Sequence, residues 1–260
     1  MASINLAKYE SGSLRNILLK LEYHGGEFEG WQIQSGGRTV QGVLRSNLEK
    51  FLRHEIKLVG AGRTDSGVHA LSQYASFQTS SKLKHHEIMY KLNKMLPDDI
   101  AILGCHDVSL QFDARRSAVE RAYRYLICER ISAINRRLSW VIGRKLDLPS
   151  LQDLAAVIQK GREFDNFCKT RSLKENNQCR IKAAGWGRHG GFLRFDIRAD
   201  RFLHNMVRLL VGTMVAVLDG KLDFGYFEKM VLNKISEKSR YIAPARGLYL
   251  TWVGYERGIK

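Results

Sequence analysis

Hydrophobic and polar positions divide this chain into alternating and helical stretches. Ile17, Leu19, Leu21 and Tyr23 alternate with Leu18, Lys20 and Glu22, the period of a strand, which Gly25-Gly26 ends. Thr39 is placed to cap a helix, and Val40, Val43, Leu44, Leu48, Phe51 and Leu52 recur behind it at helical spacing. An apolar run from Ile56 to Val59 and a strand-like run from Gln73 to Phe77 flank a glycine-rich segment. Ile88, Met89, Leu92, Met95 and Leu96 predict a second amphipathic helix. Pro97-Asp98-Asp99 stops it, and Ile100 to Cys105 reads as a strand. The order strand, helix, strand, strand, helix, strand predicts an α+β half with helices on one face of a sheet.

Phe112-Asp113-Ala114-Arg115-Arg116-Ser117 carries no such period and reads as a joint. In the strand predicted from Arg121 to Cys128, Tyr123, Tyr125 and Ile127 share one face. A helix is expected from Ser150, with Leu151, Leu154, Ala155 and Ile158 on one side. Arg180 to Trp186 and Phe192 to Arg198 read as paired strands turned by Arg188-His189-Gly190-Gly191. Leu203 to Leu218 is apolar nearly all round, so it predicts a buried helix on which His204 and Arg208 are neighbours at i and i+4. A short helix from Phe227 to Val231 and a last strand from Leu248 to Val253 complete a second α+β half. The expected organisation is a loose terminus over 1–13, one half over 14–111 and another over 112–260. Residues 169–178 read as a polar, basic loop.

Charge changes the picture more than composition does. Lys plus Arg is 42 against 26 Asp plus Glu, a net charge of +16 in 260 residues. That balance favours a polyanionic partner: RNA, DNA or an anionic membrane surface. The most apolar stretch, Met206 to Leu218, is too short to span a bilayer and contains Arg208, which argues against a membrane. The four cysteines have no zinc-knuckle spacing and read as small, reduced, buried hydrophobes. The start of the chain lacks a signal-peptide pattern, so the expected location is the cytoplasm.

The candidate chemistry lies in Gly60-Ala61-Gly62-Arg63-Thr64-Asp65-Ser66-Gly67-Val68-His69-Ala70. Its glycines allow positive φ and close approach of a backbone or ligand. The segment therefore reads as a shaped loop that presents Asp65 beside Arg63. A neighbouring guanidinium favours a carboxylate over the acid, and an oriented carboxylate can act as nucleophile or base. Asp-Ser-Gly is also an ordinary turn, with Gly in the left-handed position.

The string Gly62 to Ala70 resembles the active-site motif of the TruA family of tRNA pseudouridine synthases. The likeness extends from about Leu18 to Tyr255. It includes Trp31 to Gly42, Phe112-Asp113-Ala114-Arg115 with Tyr123-Arg124-Tyr125, and Phe202 to Arg208 with Pro244 to Leu250. Two departures are visible. Asp113 stands where many members have His, and Val119-Glu120-Arg121-Ala122 is less basic than usual. The resemblance implies a pseudouridine synthase fold: two α+β halves with an antiparallel or mixed sheet and a basic central cleft. It implies a homodimer that holds the anticodon stem-loop of tRNA and isomerises uridine at positions 38, 39 and 40 without cofactor or metal. Asp65 is then the catalytic carboxylate, Tyr123 packs on the target base, and Arg63 pairs with Asp65 and reaches a phosphate. Arg208, a cation in an apolar helix, is expected to face the cleft near Asp65, and His204 to be packed or hydrogen-bonded.

Other classes fit less well. A non-catalytic RNA-binding protein would share the charge, since phosphate binding needs no chemistry. A two-metal nuclease needs several converging carboxylates where this loop offers one. A serine nucleophile elbow needs Gly two residues before Ser66, where Thr64 stands.

Overall fold

The computed structural model describes residues 14–169 and 177–256. The expected tail over 1–13 and most of the 169–178 loop lie outside them. Through the first half of the chain run β1 (Arg15–Tyr23), α1 (Val40–Leu52), β2 (Val59–Gly60), β3 (His69–Thr79), α2 (His85–Met95) and β4 (Ile100–Val108). Then follow β5 (Ala118–Cys128), β6 (Trp140–Val141), α3 (Leu148–Lys160), β7 (Ile181–His189), β8 (Phe192–Ala199), α4 (Met206–Leu218), α5 (Phe224–Val231) and β9 (Leu248–Tyr255).

All the strands join one mixed sheet in the order β4-β1-β3-β9-β5-β8-β7, with β2 added to β3 and β6 to β5. The last strand thus closes the sheet between β3 and β5. Its seam with β3 is parallel and short, His69 opposite Tyr249 and Ala70 opposite Leu250. On its other side β9 runs antiparallel to β5. Leu248, Leu250 and Val253 of β9 are buried, so the seam is sealed by apolar contact as well as by the ladder. Helix α2 packs on β4 and α3 on β7, while α4 touches both α3 and α5.

Local chemistry moved several helix boundaries. Thr39 does cap α1, its hydroxyl accepting the Gly42 N–H at 3.2 Å. Helix α3 begins before Ser150, because the Asp147 carboxylate accepts the Ser150 N–H at 2.9 Å and Pro149 suits the first turn. Helix α5 likewise begins at Phe224, behind Asp223. Helix α4 begins later than expected: Asn205 takes the left-handed conformation at φ 64°, so Leu203 and His204 lie outside the helix. From Met206 to Ala216 every α4 residue except Arg208 is buried, as an all-round apolar helix requires. Each Leu or Val fully buried there contributes about 1.5–3 kcal/mol.

The β7–β8 hairpin turns on Gly190 and Gly191 alone, at φ 57° and 81°, the two-residue turn whose twist matches its strands. Arg188 and His189, expected in the turn, belong to β7. The four cysteines are free and buried, and burial pushes the Cys105 and Cys179 thiols up to about 12. Among the described residues no helix is long and apolar enough to cross a membrane.

Candidate active site

Asp65 opens a four-residue turn. The Val68 N–H donates to the Asp65 carbonyl at 3.2 Å, and Gly67 sits third at φ 76°, where a side chain would be strained. Asp-Ser-Gly is thus an ordinary turn, with Asp65 at its first position. The residues around it hold it in place. The Thr64 hydroxyl meets the buried Tyr23 hydroxyl at 2.7 Å, and the Thr64 carbonyl accepts the Trp31 N–H at 3.1 Å. Gly67 N–H and the Ser66 hydroxyl both donate to the Phe28 carbonyl, each at 3.2 Å. Gln73 donates to the Gly62 carbonyl at 2.9 Å. Trp31 is buried against Gly60, where any Cβ would meet its ring at 2.3 Å, so this aromatic is core.

His69 anchors the far end of the loop. Its Nδ1 accepts the Gly25 N–H at 3.0 Å, which places the ring proton on Nε2, 3.2 Å from the Arg246 carbonyl. The ring stacks on Tyr249 across the β3–β9 seam, with centroids 4.7 Å apart, and lies 4.6 Å from His24. Burial, and then the neighbouring His24, lower its pKa to about 4. At neutral pH His69 is thus an uncharged clamp between the Asp65 loop and the Pro244–Gly247 segment.

The partners of the Asp65 carboxylate come from the turn before α4 and from its first turn. His204 Nε2 lies 3.1 Å from one oxygen and Arg208 Nη1 3.3 Å from the other. Arg208 is held by donating Nε to the Ala243 carbonyl at 2.9 Å and Nη1 to the Asn205 side chain at 3.3 Å. The expected Arg63–Asp65 pair is not formed. Arg63 is exposed at the rim, and Arg208 and His204 occupy both carboxylate oxygens. His204 and Arg208 converge through Asp65 and not through a shared helical face, because Asn205 ends the helix between them.

Asp65 opens into a cavity of about 1030 Å³ whose walls carry six Lys or Arg side chains against two carboxylates among the described residues. Arg63, Tyr123 and Arg208 all line it. Tyr123 is nearly buried, with Phe202 edge-on at 5.0 Å. Burial, then the Tyr23 hydroxyl and the Asp65 carboxylate, push its hydroxyl well above the usual phenol range, so it stays protonated. No group of three or more His, Cys, Asp or Glu among the described residues could hold a metal ion.

Of the two sequence departures, Asp113 is not among the residues that line the cavity, whereas the 119–122 stretch contributes Arg121 to it. The Asp113 carboxylate accepts the Arg115 and Arg116 N–H groups, each at 2.9 Å, and so caps the joint. Glu120 is buried between Lys182 at 3.3 Å and Arg198 at 2.8 Å. Sequence reasoning missed the clamp role of His69, the helix break at Asn205 and the edge contact of Phe202. All three lie in the strings that carried the resemblance, but their spacing does not reveal their partners.

The chain combines a mixed sheet with an aspartate turn that meets a cation of a buried helix beside a basic cavity. The chain belongs to the tRNA pseudouridine synthases, whose sequence profile matches residues 21–116 and 155–256. It is 42% identical over 243 residues to tRNA pseudouridine synthase A of Chlorobium luteolum, covering 93% of this chain and 96% of that one. To the protein of the same name from Acetivibrio thermocellus it is 36% identical over 244 residues, covering 93% of this chain and all of that one.

Proposed function

We propose that Asp65 is the nucleophile with which this tRNA pseudouridine synthase isomerises uridine at positions 38, 39 and 40 of the tRNA anticodon stem-loop. The observation that carries this reading is the Asp65 carboxylate, held by Arg208 and His204 at the floor of a basic cavity that Tyr123 also lines. In the isomerisation the C1′–N1 bond of the nucleotide breaks and a C1′–C5 bond forms. The C5 proton leaves and N1 gains one, so no oxidant or co-reactant is consumed. An oriented carboxylate serves by adding to C6 of the uracil or to C1′ of the ribose. A uridine in a stem-loop must leave its stack to reach that carboxylate, and a flipped base is held by an aromatic face. Tyr123 supplies that face, and its protonated hydroxyl can relay the C5 proton. Arg63, exposed at the rim, takes the phosphate of the flipped nucleotide. Arg208 orients Asp65.

The protein works as a homodimer in the cytoplasm, with the chain divided into halves at residues 111 and 112 and the tRNA lying along the basic cavity. The test is pseudouridine-specific chemical mapping of tRNA transcripts incubated with wild type and with Asp65→Asn, in chelator. Asp65→Asn should bind tRNA and lower turnover by at least about a thousandfold, the scale on which a nucleophile acts. Modification by wild type alone supports the assignment. Appreciable turnover by the variant would overturn it, and binding without modification by wild type would leave an RNA-binding protein.

A further inference from the structure

Arg121 stands on β5 two residues before Tyr123, hence on the same face of that strand. Against β8 the spacing is kept, Arg121 opposite Ala199 and Tyr123 opposite Ile197. Arg121 lines the cavity. Among the described residues no carboxylate lies within ion-pair distance of it. Backbone carbonyls take its protons instead: Nη1 donates to Ala118 at 2.9 Å and Asp200 at 3.2 Å, and Nη2 to Ala61 at 2.8 Å and Arg115 at 2.9 Å. The Asp200 carboxylate is turned elsewhere, accepting the Arg180 and Arg201 N–H groups at 2.9 Å and 2.7 Å.

Two of these carbonyls, Arg115 and Ala118, are near Arg121 in the chain, and the other two, Ala61 and Asp200, come from segments 60 and 79 residues away. Ala61 begins the loop that presents Asp65. Arg115 carries a side chain that lines the cavity, and the carbonyl of Ala118 begins β5. Asp200 leads into Phe202, which meets Tyr123 edge-on. Burial is the largest cause of a lowered Arg121 pKa, opposed in part by Tyr123, Tyr255 and Asp200. An apolar side chain here would leave these carbonyls unpaired, so the guanidinium is what joins them. A planar fork with fixed donor directions suits this task, because it holds carbonyls of several segments at set distances.

We propose that Arg121 is a positioning residue for the isomerisation, tying the loop of Asp65 to the strand of Tyr123 and so setting the gap into which the uracil is received. The proposal rests on the assignment of Asp65 and Tyr123 to the reaction. Arg121→Lys keeps the charge but offers a single nitrogen, and Arg121→Gln keeps donors without charge. Neither reproduces the fork.

The experiment measures single-turnover conversion at saturating tRNA, tRNA affinity and thermal melting for wild type, Arg121→Lys and Arg121→Gln. A displacement near 1 Å between reacting groups slows a step about a hundredfold, so that loss of rate is expected in both variants. The affinity of Arg121→Lys should stay within about threefold of wild type, because the phosphate contacts persist. In Arg121→Ala, free guanidinium below unfolding concentrations should restore rate and leave affinity unchanged. Weakened affinity with an unchanged saturated rate would make Arg121 a phosphate contact and overturn the proposal. An unchanged rate in Arg121→Lys, or loss of the cooperative melt in both variants, would overturn it as well. Failure of wild type to form pseudouridine would instead sink the functional reading, which this experiment therefore tests separately.

Discussion

Two glycine turns in this protein have similar local chemistry and different surroundings. At Gly190-Gly191 both residues have positive φ, join β7 to β8, and have no atom within 4 Å of where a Cβ would stand. At Asp65-Ser66-Gly67-Val68 one glycine has positive φ, and a Cβ on it would lie 3.2 Å from Ala245. The first turn reverses the chain between β7 and β8. The second is held through Thr64, Gly67 and Ser66 by Tyr23, Trp31 and Phe28, while Arg208 and His204 meet its carboxylate. A turn becomes a site through what surrounds it. The hydrogen bonds that fix the Asp65 turn come from residues up to 143 positions away, as the Arg208 contact shows.

The strongest way to break that comparison is to remove a wall. Arg208→Gln should slow single-turnover conversion by about 10²–10³, the scale of one preorganised charged partner, with little change in tRNA affinity. A rate equal to wild type would mean that the Asp65 turn needs its surroundings no more than the hairpin does.

A second test acts through pH. His69 is neutral in the fold because burial and His24 lower its pKa from 6.5 to about 4, and the groups packed around it include Tyr249, Arg246 and Arg137. The unfolded chain therefore takes up the His69 proton first as pH falls. Stability from this group is complete above the ordinary histidine range and is lost as pH falls from 6.5 towards about 4, by up to about 3 kcal/mol. Urea melts across that window should show a slope in wild type that His69→Gln lacks. Equal slopes would remove His69 as the clamp.

Smaller effects separate the two turns directly. Gly67→Ala should cost about 1–2 kcal/mol for the left-handed conformation and also lower turnover, because the strain is passed to Asp65. Gly190→Ala should cost about 1 kcal/mol in a thermal melt and leave turnover unchanged. Equal loss of turnover in both variants would erase the distinction.

The sequence was most legible where local physics suffices. The alternation of β1, the Thr39 cap, the all-apolar run of α4 and the glycine hairpin each follow from residues close together in the chain, and each is present. Boundaries moved where one side chain captured a backbone group, as Asp147 did before α3, or where one residue left the helical path, as Asn205 did before α4. The site was legible as a motif but not as a geometry. Asp65 was the candidate carboxylate, and Arg63, two residues away, was its expected partner on sequence distance. Arg208, expected near Asp65, does meet it, and His204 takes the other oxygen in place of Arg63.

The sequence by itself determined the elements, the basic charge, the candidate carboxylate and the likeness to tRNA pseudouridine synthases, because those depend on residue type, period and order. The tertiary structure decided which cations meet Asp65, that β9 closes the sheet between β3 and β5, and that Arg121 and His69 join the segments around the cavity. The reason is physical: hydrogen bonds and ion pairs act over a few Å in space whatever the distance along the chain, and only the packed sheet converts one into the other.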